Sequence, residues 1–259
     1  MLADGRRKQL LNRIQSAGTL SNADAAAGLR VSMLTIRRDL EVLERDGLIR
    51  RVYGGAQHIS LPAFAPPSEL EFTQRQGQHR EVKARMAQMA ADTISNGETV
   101  FLDAGTTTLA LASAICQLPL RKVLIVTHAV NIANEFANHQ QFKVLVIGGE
   151  LFEETRACTG QVTLDSVRRY HYDRFFLGCI GFDVQNGITN ARLPEVEIKN
   201  AVIERSNWVC LLADSSKWGV SSFAPIAPLE RCHTVITDSH LALNAQRGIR
   251  QLGLELRLA

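Results

Sequence analysis

No run of apolar residues in this chain approaches the roughly 18 that a membrane-crossing helix requires, and the opening MLADGRRKQLLNRI follows its charges with no signal-peptide hydrophobic stretch. These two absences predict a cytoplasmic protein with no membrane partner. The five cysteines, Cys116, Cys158, Cys179, Cys210 and Cys232, contain no CxxC pair and sit beside no His/Cys cluster of metal-ligand spacing. No metal site is expected, and the thiols read as reduced and mostly buried. There is no GxxxxGK[ST] loop, HExxH helix or GxSxG elbow, so nucleotide hydrolysis, zinc proteolysis and serine hydrolysis have no support. Internal repeats and low-complexity tracts are missing as well.

Positive charge is also scarce over most of the length. Residues 1–58 hold ten Lys/Arg against six Asp/Glu, net +4; of the chain's 29 and 26 this leaves 19 against 20, net −1, for the remaining 201 residues. A basic head on a near-neutral body suits a small polyanion-binding module followed by a larger unit. The length of 259 residues leaves room for both.

Within the head, Leu10, Leu11, Ile14 and Ala17 form the apolar stripe of a first helix from Arg6, and Gly18 stops it. Ser21 with Asp24 three residues on caps a second helix, which runs through Ala25, Ala26 and Ala27 to Gly28. A third helix follows after a turn. Ser32 is a favoured N-cap, Thr35 falls at N3, and Val31 can staple onto Ile36. Turning 100° per residue from Ile36 gathers Leu40, Leu43 and Gly47 on one side, leaving Leu34, Arg38, Glu41 and Arg45 opposite, with Thr35 and Arg37 flanking them. One face seeks a core and the other presents arginines. Gly47 can end the helix, and LIRRVYGGA then alternates Leu48, Ile49 and Val52 with Arg50 and Arg51 before a Gly54-Gly55 turn. The unit is a winged helix-turn-helix.

Isolated arginines of this kind read as a solvated face with pairs such as Glu41 to Arg45. In a continuous motif they read as DNA contacts. Ser32, Leu34, Thr35 and Arg38 can reach the floor of the major groove, where an arginine pairs bidentately with guanine and Leu34 can meet a thymine methyl. Arg37 lies nearer a phosphate strand, and Arg50 and Arg51 in the wing add phosphate or minor-groove contacts.

The spacing VSxxTIRRDL, then LExxGLIRR, then YGGA resembles the DNA-binding head of the DeoR family of bacterial transcriptional regulators over residues 6–56. Ala25 departs from the family's usual leucine, which predicts a smaller local core. After residue 57 periodicity disappears, with Pro62, Pro66, Pro67 and the polar TQRQGQH, so residues 58–78 read as a linker between the head, 1–57, and the body, 79–259.

In the body Val82, Met86, Met89 and Ile94 mark a helix ending near Asn96-Gly97. Strand-like runs then recur as ETVFLDAG, KVLIVTH, FKVLVIGG, RFFLGCIGF, WVCLLADSS, HTVITDS and LELRLA, mostly with helical segments between. Such alternation predicts an α/β domain with a mostly parallel, Rossmann-like sheet covered by helices. Asp103-Ala-Gly105-Thr106-Thr107-Thr108 ends a strand and opens a helix, so free N–H groups, the helix dipole and hydroxyls can converge on one phosphate, and Gly105 permits close approach. Taken alone, Thr106 reads equally as a helix cap. Thr127, Gly148, Gly149, Asp214, Ser216 and Lys217 also fall at strand C-termini, the edge where open α/β sheets bind ligands. Lys217 can supply a second charge, and Asp103 or Asp214 can accept sugar hydroxyls.

Over residues 75–259 the pieces FLDAGTTT, IVT, VIGGE, GxxGF with NGIT, ExxxK and ADSSKWG resemble the DeoR-family sensor domain, related in fold to ribose-5-phosphate isomerase and glucosamine-6-phosphate deaminase. The resemblance implies a phosphorylated sugar as effector, no cofactor and no turnover. Glu195 and Lys199, spaced i,i+4, make a surface salt bridge by default; the family pattern raises a ligand role. His128 stands where the family commonly shows Asn. The expected function is a repressor of a sugar-metabolism operon, bound to operator DNA as a homo-oligomer and released by a phosphosugar. The alternative is a phosphosugar isomerase or deaminase carrying a DNA-binding head, with Asp103, Asp183, Glu195 and Asp214 available for acid-base work.

Overall fold

The computed structural model describes residues 3–17, 19–29, 31–45, 48–52, 55–58 and 72–259, and the chain divides into two compact units, Met1–Ala65 and Pro66–Ala259. The first unit contains α1 (Ala3–Ala17), β1 (Thr19–Ser21), α2 (Asn22–Leu29), α3 (Met33–Arg45), β2 (Ile49–Val52) and β3 (Gly55–His58). The three strands form an antiparallel sheet in the order β1-β3-β2. β1 is too short to show alternation in the sequence, which gave only the cap residue at its end. Gly55 is fixed by β1: a Cβ there would run into the Leu20 carbonyl and the Ser21 backbone. The positions expected to turn or stop the chain, Gly18, Gly47 and Gly54, lie outside the described residues.

The head's core joins Leu10 and Ile14 of α1, Ala25 and Leu29 of α2, Ile36, Leu40 and Leu43 of α3, Ile49 of β2 and Ala56 of β3, with Val31 packed against it. Each buried leucine or isoleucine contributes about 1.5–3 kcal/mol. Ala25 is buried in this core, so a methyl stands where a larger side chain would add volume.

The second unit opens with α4 (Phe72–Gly77), inside the stretch read as linker, and α5 (Arg80–Ala91). Phe72 explains the difference. It is buried in the same core as Met86 and Ala87, and tertiary contacts, not local periodicity, give this polar segment its helix. α5 stops at Ala91, short of the expected Asn96-Gly97; the chain continues to Ile94 in tight turns, with Thr93 and Ile94 donating to Ala90 and Ala91.

Then follow β4 (Thr99–Leu102), α6 (Thr106–Ile115), β5 (Leu124–Thr127), α7 (Val130–Glu135), β6 (Lys143–Val146), β7 (Glu150–Phe152), β8 (Ala157–Thr159), α8 (Gln161–Val167) and β9 (Tyr172–Leu177). The remainder is β10 (Gly181–Asp183), β11 (Gly187–Asn190), α9 (Leu193–Glu204), β12 (Ser206–Leu212), β13 (Ala224–Ala227), β14 (Thr234–Thr237), α10 (Leu243–Gln251) and β15 (Glu255–Leu258). Seven strands make one parallel sheet in the order β15-β14-β12-β9-β4-β5-β6, and each arises from one of the seven apolar runs in the sequence. The hairpin β7-β8 and the antiparallel sheet β10-β11-β13 are additions that the sequence did not announce. The run RFFLGCIGF extends past β9 into Gly181 and Phe182 of β10, so one run supplies strands to two sheets.

Alternation along the central strands sends side chains into two cores. Val100, Leu102, Phe176, Cys210 and Leu212 pack with Met86, Leu111 and Ile132 from α5, α6 and α7. Phe101, Phe175, Leu177, Val209 and Leu211 face Leu164, Val202 and Ile249 from α8, α9 and α10, together with Phe182, Ile188 and Ile226 of the small sheet. The result is a three-layer α/β/α unit. Among the described residues no helix is long and apolar enough to cross a membrane.

Candidate functional site

The reading helix of the head is built as its sequence requires. Ser32 Oγ accepts the Thr35 backbone N–H at 3.2 Å and meets Thr35 Oγ1 at 2.8 Å, so the hydroxyls of both residues take part in the cap. Leu34 is 60% exposed, and Arg37 and Arg38 stand in solvent with no bond to another described residue. An apolar side chain and two cations held outward on a rigid helix fit a groove floor and its phosphate margin. Arg50 and Arg51 lie on β2, but their side chains, like that of Arg45, fall outside the described residues.

One residue of this helix escaped the sequence reading. Asp39 is 3% exposed and binds Arg6 Nε at 2.5 Å and Arg7 Nε at 3.3 Å, both from α1. The hydrogen bond to Asp39 raises the Arg6 guanidinium above its ordinary value. The signal was available: Asp39 falls on the same helical face as Ile36, Leu40 and Leu43, and a carboxylate on a core face requires a partner.

In the body the chain runs outward from β4 in both directions, to β5 and β6 on one side and to β9, β12, β14 and β15 on the other. The order reverses between β4 and β9, and a crevice opens beyond their C-terminal ends at such a point. Asp103 follows β4 and Gly178 follows β9. Asp103 Oδ2 accepts the Gly178 N–H at 2.8 Å and the Lys199 ammonium, and Lys199 also donates to the Gly178 carbonyl at 3.1 Å. Asp103 is 1% exposed, so it braces the switch point and does not stand open to a sugar hydroxyl. Burial alone would raise its carboxyl; Lys199 and then His128 outweigh that and hold it below its usual range.

Lys199 and Glu195 are both buried and do not pair with each other, which corrects the expected i,i+4 surface salt bridge. α9 turns them inward: Lys199 reaches Asp103, while Glu195 Oε2 accepts Asn190 Nδ2 at 2.7 Å and Oε1 has Arg192 at 3.9 Å. Their neighbours in sequence gave no sign of this. The charge of Lys199 is met from β4, 96 residues away.

Above this brace lies the N-terminus of α6. Gly105 is its N-cap, no side chain caps it, and Thr106 is half-buried. The first N–H groups of a helix have no partner inside it, so those of Thr106, Thr107 and Thr108 are open to an acceptor. Thr107 and Thr108 are buried, with Thr108 Oγ1 donating to the Gly105 carbonyl at 3.1 Å. Thr127 donates to the Leu102 carbonyl at 2.8 Å and accepts the Ala129 N–H at 3.1 Å, tying β4 to β5 with both capacities of its hydroxyl. At the end of β6, Thr163 Oγ1 donates to the Gly148 carbonyl at 2.9 Å, and Gly149 leaves no room for a Cβ against Thr163 and the Thr159 carbonyl. Gly149 therefore lets the start of α8 approach closely.

On the other side Asp214 caps the short turn Ser215–Lys217, accepting the Ser216 N–H at 3.2 Å and the Ser216 hydroxyl. Lys217 Nζ donates to the Cys179 carbonyl at 2.8 Å beside the switch point. Asp238, also missed in the sequence, holds this turn by accepting Ser215 N–H at 2.7 Å, Ser215 Oγ at 2.9 Å and the N–H of His240 at 3.0 Å. Burial would raise its carboxyl, yet these donors lower it below its ordinary value. Asp183 accepts the Asn186 N–H and amide in the β10-β11 turn.

Two further cations enter from the segment read as linker and from α5. Lys83 is 5% exposed and donates to the carbonyls of Arg75 at 2.5 Å and Gln78 at 2.8 Å, binding α4 to α5. Burial, with Lys217 and Arg75 adding like charge against Asp214, pushes its ammonium down to about 8. Arg75 donates to the Glu154 carbonyl at 3.0 Å and is lowered by burial, Glu195 opposing and Arg192 assisting. Basic groups thus converge on the crevice from α4, α5, α9 and the turn after β12, a setting that favours an anion. Among the described residues no cluster of His, Cys, Asp and Glu could hold a metal ion. A separate cavity of about 470 Å³ lies between α7 and the β7-β8 hairpin, lined by Val130, Asn131, Asn134, Leu151, Glu153 and Arg156, and none of the expected effector residues borders it. Arg156 itself stacks on Phe72, 4.9 Å from the ring centroid, and Gly160 is the N-cap of α8.

Two family profiles cover most of the chain: the DeoR-like helix-turn-helix domain matches residues 6–61 and the DeoR C terminal sensor domain residues 78–239. Among curated relatives, the HTH-type transcriptional regulator IolR of Bacillus subtilis is 32% identical over 91% of this chain and 91% of its own. The glycerol-3-phosphate regulon repressor of Escherichia coli is 31% identical over 98% of each. Among solved structures, a D-ribose-5-phosphate isomerase in complex with phospho-erythronic acid aligns over 54% of each chain with 16% identity and a TM-score of 0.41.

Proposed function

We propose, for a chain that belongs to the DeoR family of helix-turn-helix regulators, the function of a repressor of a sugar-metabolism operon that releases its operator when a phosphorylated sugar enters the body. The observation that carries this reading is the uncapped N-terminus of α6 at the sheet's switch point, flanked by Lys199 and Lys217. The phosphate accepts from the N–H groups of Thr106, Thr107 and Thr108, the Thr106 hydroxyl joins them, and the free donor of Lys217 supplies the charge. Asp103, Thr127, Gly148, Gly149 and Asp214 shape the crevice, and Ser216 and Glu195 border it. A relative named for glycerol 3-phosphate supports a small phosphorylated polyol or sugar as the class.

In the head, Leu34 and Arg38 read base edges, Ser32 and Thr35 fix the helix that carries them, and Arg37 with Arg50 and Arg51 neutralises phosphates. One such module binds weakly, so the protein acts as a homo-oligomer on paired half-sites in the cytoplasm. It needs no cofactor and turns nothing over, because the effector has only to bind one conformation better than the other.

Operator binding measured against a panel of sugar phosphates tests this. One member should release the wild-type protein from DNA, and Lys217→Met and Thr106→Val should keep operator affinity while losing release. If no member changes DNA affinity, the sensor reading fails; if the panel is converted to product, the alternative of an isomerase or deaminase replaces it.

A further inference from the structure

Two buried polar atoms at the crevice, one an acceptor and one a donor, are left without hydrogen-bond partners among the described residues. Glu195 is 7% exposed. Its Oε2 accepts Asn190 Nδ2 at 2.7 Å, which fixes the carboxylate, while Oε1 accepts nothing. Arg192 Nη1 lies 3.9 Å from Oε1, close enough to balance the charge and too far for a hydrogen bond. Arg75 Nη2 donates to the Glu154 carbonyl at 3.0 Å and its guanidinium lies over Phe72, but its buried Nε–H donates to nothing. Each open atom costs stability until something fills it.

The two atoms belong to one cluster. Arg192 pairs with the Glu154 carboxylate while Arg75 holds the carbonyl of the same residue, so the β7-β8 turn is clamped from both sides at Glu154. Arg75 stands within electrostatic reach of Glu195 and Arg192, and Lys83 within reach of Arg75, Lys217 and Asp214. The cluster therefore adjoins the lysine assigned to the phosphate. On α9, Glu195 comes one turn before Lys199, which reaches the Asp103 brace. Four residues of helix advance about 6 Å, the span of a short carbon chain.

We infer that Glu195 and Arg75 are the specificity pair of the crevice: with the phosphate on the α6 N-terminus, a hydroxyl at the far end of the effector donates to Glu195 Oε1 and accepts from Arg75 Nε. This rests on the phosphate-binding reading of the crevice. A hydroxyl can do both at once. A carboxylate in the same place satisfies Arg75 and sets a like charge against Oε1, while an ammonium satisfies Oε1 and faces the two arginines. The class selected is a phosphorylated polyol or neutral sugar, in preference to a sugar acid or amino sugar of the same length. Basic surroundings alone would favour the acid, so the two accounts predict opposite orders. Neither open atom touches solvent, and the ligand enters by releasing the Glu154 clamp, whose carboxylate side chain is 57% exposed.

Matched phosphate esters test the pair on the full chain. Glycerol 3-phosphate and 3-phosphoglycerate, erythritol 4-phosphate and 4-phosphoerythronate, and glucitol 6-phosphate and 6-phosphogluconate differ only at the end remote from the phosphate; inorganic phosphate gives the baseline. Calorimetric titration should find at least one polyol phosphate binding about tenfold or more tighter than its acid partner, and tighter than inorganic phosphate. Glu195→Gln keeps the Asn190 bond through its amide oxygen and turns the inner position into a donor, so its preference should shift toward the acid. An acid bound as tightly as its polyol by wild type would overturn the pair, as would an unchanged order in Glu195→Gln. Should that variant fail to fold, the wild-type order decides alone, a polyol preference upholding the pair and equality or an acid preference refuting it. Inorganic phosphate bound with no gain from any polyol removes the pair and leaves the phosphate site standing. Absence of binding by inorganic phosphate and by every ester removes the phosphate site, and the pair with it.

Discussion

In the head Leu34, Arg37 and Arg38, assigned to DNA, stand in solvent on a helix packed against a small apolar core, and among the described residues of that core face the buried charge is Asp39, met by Arg6 and Arg7. In the body seven of the groups assigned to the effector, Asp103, Thr107, Thr108, Thr127, Glu195, Lys199 and Asp214, lie beneath the surface, and Lys199 and Thr127 reach partners on distant segments of the chain. The difference follows from the two partners. A duplex is larger than the head and must be met from outside, where long cations stay hydrated until they reach phosphate. A small anion has to be surrounded, and the charges that surround it must be held in place by other charges. Changes in the head should therefore act on DNA with little effect on stability, and changes in the body on stability first.

The largest effect that comparison predicts is at Lys199. Lys199→Met leaves Asp103 buried with a single N–H donor, and loss of one partner of a buried pair costs about 3–5 kcal/mol. Denaturant titration should show the body unfolding at lower concentration; a change below about 1 kcal/mol would mean that the buried cluster is not what holds the switch point. Next comes Arg38→Ala, expected to lose about 1–3 kcal/mol of specific operator binding with the melting temperature unchanged. Equal losses on operator and random DNA would move Arg38 from the groove floor to the phosphates, and a fall in stability would break the contrast itself.

A third test uses pH. The Lys83 ammonium is held at about 8 in the folded chain against an ordinary 10.5. Between those values the unfolded chain binds more protons, so stability should rise with pH from about 8 to about 10.5 and be insensitive to this group below. The slope, at most about 1.4 kcal/mol per pH unit, should be smaller in Lys83→Met than in wild type when urea midpoints are compared. Identical slopes would show that this lysine is hydrated. The smallest effect belongs to Ser32→Ala, which removes the cap of α3 at a cost of about 1 kcal/mol to the head, read from its thermal unfolding.

The same contrast governs what the sequence could reveal. Ile36, Leu40 and Leu43 repeat at helical spacing, so the buried side of α3 and the outward position of Leu34 and Arg38 could be read directly. The seven parallel strands were legible for a similar reason, since each is a continuous apolar run closed by turn residues. The positions at the sheet edge were legible as positions, while their contacts were not. Lys199 and Asp103 are joined by folding alone, and Glu195 four residues away supplied a plausible but unused partner. α4 escaped because its helix depends on tertiary partners, the burial of Phe72 and the bonds of Lys83 and Arg75, and β10, β11 and β13 because they are short and carry too few alternations to register. Lys83 and Arg75 had no motif around them; their role comes from Phe72 docking α4 onto α5.

The buried thiols have a practical consequence. All five cysteines are unpaired and inside the body, with burial raising Cys116 and Cys179 to about 11 and Cys210 and Cys232 higher still. Alkylating and fluorescent reagents attack thiolates, so at neutral pH the native protein is chemically silent toward them. A single cysteine introduced at an exposed position of α3, such as Glu44, would be the preferred target on the whole chain. A dye placed there can follow the head through operator binding and release without first stripping the body of its own sulfur.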